Sequence, residues 1–157
     1  MRRSRSLLLL AVLPFLGGCP PEDCLPGEDP TLRLGTGERG FEPLGDPPVF
    51  EIVHGPQGGW HAVIALEAAR IDASELLLGS FRATIDEEEV GHSQPWIRMR
   101  CNHETGTLQS WDGLLIFGPP PEELHGQTAL VEVSVRDGQG VTVTDEVEAL
   151  LHDPGLE

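Results

Sequence analysis

Histidines, acids and a glycine-rich stretch are the residues whose types and spacing could support chemistry, and each implies a different kind. His54 and His61 flank Gly55-Pro56-Gln57-Gly58-Gly59. Paired in the right register, two neutral imidazoles can hold zinc or copper, provided a third or fourth ligand joins them. His103 and Glu104 are of the right type, but nothing in the sequence brings them there. The simpler reading gives the glycines to a turn with positive φ, with Gln57 satisfying loop backbone and Trp60 and His61 packed at the domain's end. Asp86-Glu87-Glu88-Glu89 could attract calcium. Calcium, however, takes six to eight oxygens from converging segments, and one linear run reads better as a solvated loop.

Gly35-Thr36-Gly37-Glu38-Arg39-Gly40 matches a dinucleotide fingerprint by letters alone. That fingerprint works only where a helix N-terminus receives the pyrophosphate, and Pro43 and Gly45 oppose a helix there. No Gly-x-Ser-x-Gly, His-Glu-x-x-His or Cys-x-x-Cys spacing occurs. The sequence therefore implies no catalytic residue and no cofactor, and the expectation is a protein that is not an enzyme.

The three cysteines carry more information. Arg2, Arg3 and Arg5 precede an apolar run from Leu7 to Leu16, broken only by Pro14, and Leu16-Gly17-Gly18-Cys19 follows. This is the plan of a secretory signal ending in a lipobox, in which the Cys19 thiol takes a diacylglycerol and becomes the new N-terminus. The run is shorter than the about 20 apolar residues that cross a bilayer as a helix. Arg2-Arg3 lacks the rest of a twin-arginine pattern, so the general export route is expected. Pro20 stands where an aspartate would hold a lipoprotein at the inner membrane, which favours the outer membrane. The expectation is thus a signal peptide over residues 1–18 and a protein anchored to the cell envelope by lipid.

Cys24 and Cys101 then remain for a disulfide in an oxidising compartment. Ile97, Met99 and Cys101 alternate with Arg98 and Arg100, which turns Cys101 toward a core. A bridge and two unpaired thiols both stay open on the sequence.

Composition narrows the partners. Among 157 residues there is no lysine. Loss of residues 1–18 removes three of ten arginines and none of the 26 acids, so seven cations face 26 acids and the net charge is −19. Taken as a whole, such a surface repels nucleic acid and anionic lipid headgroups alike, since binding either needs Lys or Arg to neutralise phosphates, and nucleic acid is excluded as a partner.

Residues 19–30, rich in proline and acid, read as a lipidated tether. Beyond them short apolar runs alternate with glycine, proline and aspartate. Leu32 and Leu34, Phe50 and Ile52, and Ala62, Ile64 and Leu66 mark three strands. Leu77, Phe81, Ala83 and Ile85 mark a fourth, Ile97 to Cys101 a fifth, and Leu108 to Phe117 a sixth with a kink at Asp112-Gly113. Ala129, Val131, Val133 and Val135 pair across Asp137-Gly138-Gln139-Gly140 with Val141, Val143 and Val147. About seven strands at regular spacing predict an all-β protein, an immunoglobulin-like antiparallel β-sandwich over residues 31–153, with 154–157 as a tail.

Leu34-Gly35-Thr36-Gly37, Phe41 and Gly55-Pro56-Gln57-Gly58-Gly59-Trp60-His61 resemble uncharacterised lipoproteins of myxobacteria and related Gram-negative bacteria. The likeness spans roughly residues 31–152, with its motif-like part at 34–66. It implies the same location and sandwich fold and transfers no catalytic residue. A sandwich of this kind presents end loops and sheet faces to a protein or glycan of the envelope. Trp60, Trp96 and Trp111 are the natural contact candidates, with a place in the core the equal alternative for each.

Overall fold

Strands form where side chains alternate between a dry and a wet side, and this chain alternates over most of its length. The computed structural model describes Cys24 and residues 28–56 and 58–156; the expected signal peptide over residues 1–18, Cys19 and Gln57 lie outside the described residues. Twelve strand segments occupy it: β1 (Thr31–Thr36), β2 (Glu42–Pro43), β3 (Val49–Glu51), β4 (Val53–His54), β5 (Trp60–Ala69), β6 (Leu77–Ile85), β7 (Glu88–Ser93), β8 (Trp96–Ile97), β9 (Arg100–Asn102), β10 (Thr107–Phe117), β11 (Thr128–Arg136) and β12 (Thr142–His152). One helical turn, α1 (Pro121–Leu124), starts on a proline whose fixed φ suits that position, and it buries Leu124.

The strands run in the order β2-β1-β5-β10-β7-β6-β11-β12-β3. β1, β5 and β10 make one layer, and β7, β6, β11 and β12 make the layer facing it, an all-β sandwich-like arrangement. The dry sides meet between them. Ala62, Ile64, Leu66 and Ala68 of β5 and Leu115 of β10 oppose Leu77, Phe81 and Ala83 of β6 and the valines of β11, all buried. Phe81 reaches across the gap. A methyl group placed on Gly113 of β10 would lie 2.7 Å from its ring. The shift in register between Ser110 and Gly113 brings that glycine there, at the kink the sequence places at Asp112-Gly113.

Two features depart from about seven antiparallel strands. The segment count is higher because long stretches bend and change partner: residues 96–97 pair with β6, whereas 100–102 pair with β10. The sheet is also mixed, since β3 lies parallel to β12. One residue later, β4 pairs with β5 of the opposite layer. Ile52, between them, donates its N–H to the His152 carbonyl at 2.7 Å and is itself buried. The segment 49–54 therefore sews the two layers together along one side.

Candidate functional site

The register of β4 and β5 decides the histidine pair. Val53 opposes His61 and His54 opposes Trp60. Opposed residues share a face and neighbours alternate, so His54 and His61 lie on opposite faces of the ribbon. His54 packs instead on Trp60, ring centroids 4.6 Å apart. The register on which a two-histidine metal site depends is missed by one residue, so His54 and His61 are not brought together to hold zinc or copper.

Cys24 and Cys101 are joined in a disulfide, with Cα atoms 5.6 Å apart and a sequence separation of 77 residues. Cys101 reaches inward as its alternation with Arg98 and Arg100 requires. Cys24, read in sequence as part of a tether, is 1 % exposed and belongs to the core. Its sulfur lies 3.4 Å from the Thr107 carbonyl oxygen, where β10 begins. The domain thus starts at Cys24, and only residues 20–23 separate it from Cys19. His103 Nδ1 stands 3.5 Å from the Cys101 sulfur. Cys24, Cys101 and His103 form the one trio of metal-capable side chains among the described residues. With the sulfurs bonded to each other, neither is the thiolate that a metal would take.

The acidic run is divided. Asp86 and Glu87 both have positive φ and make the two-residue turn between β6 and β7, while Glu88 pairs with Ile85 and opens β7. All four carboxylates lie on one hairpin at the surface. The glycine-rich stretch from Gly35 to Gly40 leaves β1 and turns back into β2, with no helix to receive a phosphate.

A depression of about 640 Å³ lies on the outer face of β7, β6, β11 and β12, lined by Ser80, Arg82, His92, Glu132, Ser134 and Thr144 among others. Arg82 donates from Nε and a terminal nitrogen to Glu132, at 2.9 and 2.6 Å. That pair is exposed and contributes little to stability. No hydrogen bond among the described residues ties a hydroxyl of this depression to a histidine or carboxylate, so the nucleophile-and-base geometry of hydrolases is not assembled there.

The tryptophans separate. Trp60 is partly buried against the core, and Trp111 lies under the Arg100 guanidinium, 4.8 Å from the ring centre. Trp96 is 68 % exposed. Sequence reasoning missed a second apolar surface at the far end of β5 and β10. Val53, His61 and Ile116 lie in one row across β4, β5 and β10, and Val63 and Leu114 lie in the next row on the same face. Val53, Leu114 and Ile116 are exposed, Ile116 by 52 %. The signal was present in Leu114-Leu115-Ile116-Phe117, an apolar run with no polar side.

No protein-family model matches the chain, and no curated protein matches it.

Proposed function

We propose that this protein is a non-catalytic binding module, held at the outer membrane by lipid on Cys19 and presenting its far end to another protein of the envelope. The observation that carries the reading is the apolar strip of Val53, Val63, Leu114 and Ile116. It lies on a regular sheet face, where an isolated domain gains by being polar. A flat apolar strip ringed by polar groups suits a protein surface better than a glycan. The lipobox spacing before Cys19 supports the anchor, and the resemblance to envelope lipoproteins points the same way.

Two experiments test it. Replacing Cys19 with Ser should abolish acylation and release the protein from membranes; a mutant that stays acylated and bound refutes the anchor. A photo-crosslinking residue at Ile116 should trap discrete protein adducts in cells that one at Glu87 does not. Equal trapping at both positions, or none, refutes the binding surface.

A further inference from the structure

The two ends of the sandwich are chemically unlike. Residues 77–78 of β6, 96–102, the start of β10 and the end of β11 lie at one end, because Leu78 opposes both Trp96 and Arg136, and Leu108 opposes Cys101. That end exposes Leu76, Leu78, Trp96 and Val141. It also carries Arg70, Arg98, Arg100 and Arg136, four of the seven arginines that follow residue 18. Asp72, Glu75, Glu104 and Asp137 offset them, and Glu28 and Asp29, just before the Pro30 that lines a depression with Val141, add two more acids, so the arginines temper this end without neutralising it. The other end carries the run 86–89 together with the exposed Glu122 and Glu123.

Trp96, Arg98 and Arg100 project outward in turn from one extended segment, while Ile97 and Met99 are buried beneath them. Arg98 and Arg100 have no ion-pair partner among the described residues, unlike Arg33 and Arg82. An indole beside guanidiniums free of carboxylates is the side-chain set that settles at a phospholipid headgroup layer, the ring amid the acyl boundary and the cations on phosphate.

The disulfide determines which surface can reach a bilayer. From Cys19 to Cys24 the chain spans at most about 18 Å even when fully extended. Cys24 is bonded to Cys101, in the same segment as the exposed Trp96. β10 alone runs 11 residues, about 36 Å at strand rise, so its far end lies beyond the tether's reach. We propose that the end of the sandwich built around Trp96, Arg98 and Arg100 rests against an anionic phospholipid surface, with the acidic end turned away. This rests on the reading of Cys19 as the lipidated residue.

The test uses full-length lipidated protein in vesicles of phosphatidylethanolamine and phosphatidylglycerol carrying brominated acyl chains. Flotation with the vesicles reports the anchor, and quenching of tryptophan emission reports the docked edge. The wild type should float and be quenched. W96F should float and lose most of the quenching, whereas W60F should keep it. A Gly-Ser insertion between Asp23 and Cys24 leaves the disulfide intact and frees the domain to tumble, so quenching should fall with flotation unchanged. Exchanging phosphatidylglycerol for phosphatidylcholine should lower it as well. Flotation with quenching that W96F leaves intact, or that W60F removes, overturns the docked edge while the anchor stands. Failure to float, with no acyl mass on Cys19, overturns the anchor and the docked edge with it.

Discussion

Gly113 shows how closely the two layers approach. Its missing side chain leaves room for the Phe81 ring and the Ile64 carbonyl oxygen, at 2.7 and 2.9 Å from where a methyl would sit. Gly113→Ala should therefore cost about 1–3 kcal/mol through overpacking, read as a lower denaturant midpoint. Phe81→Ala removes the fully buried partner and should cost about 3–5 kcal/mol through the cavity it leaves. Asp72 is a gentler case. Hydrogen bonds from the Ser74 side chain and backbone, then from Gln139, hold its carboxyl below the usual aspartate value. A depressed carboxyl stabilises the fold above its unfolded pKa and loses that contribution as pH falls through the folded value. Asp72→Asn should thus flatten the fall in stability below about pH 4. Acid titration of both proteins, followed by melting temperature, checks the sign.

Among the elements, the disulfide joins the chain's leading segment to β9, across a sequence separation of 77 residues. Reduction should lower stability by about 2–4 kcal/mol, largely through the freedom returned to the unfolded chain. Denaturation with and without a reductant measures it. The strands themselves were legible in sequence wherever one side is dry, as from Ala129 to Val135, which alternate without interruption. Ala62 to Leu66, by contrast, is apolar throughout, and Ala65 is buried with its neighbours. The Asp112-Gly113 kink was legible too, because a glycine inside a strand marks a bulge or a close approach. What period-2 patterning lacks is register between strands. His54 and His61 look paired from their spacing, yet Trp60 takes the place opposite His54. Parallel pairing of β3 with β12 was hidden for the same reason, since β3 lies near the start of the domain, β12 at its end, and no local turn announces them. Leu114 and Ile116 went unread as a surface because a run that is apolar on both sides does not say which side faces the core.

For the molecule as a whole, negative charge sets the balance. Seven arginines and 26 acids follow residue 18, so most of the carboxylates have no cation to meet. Arg33–Glu67 and Arg82–Glu132 are ion pairs, and both draw on the same short supply of arginine. The surplus acids repel one another at a range that salt shortens to about 10 Å at 0.1 M. Adding sodium chloride at neutral pH should therefore raise the melting temperature, the reverse of what a fold held by ion pairs would do. A melting temperature that falls with salt would contradict this. The clasp of residues 49–54 bears on how such a chain comes together. β3 finds its partner in β12, far along the sequence, so the wrap cannot close until β12 has followed. A product cut short before Thr142 would leave both β3 and β11 with bare edges, free to pair with a neighbouring chain. Arrival of β12 is thus the step that separates a closed domain from a sticky one.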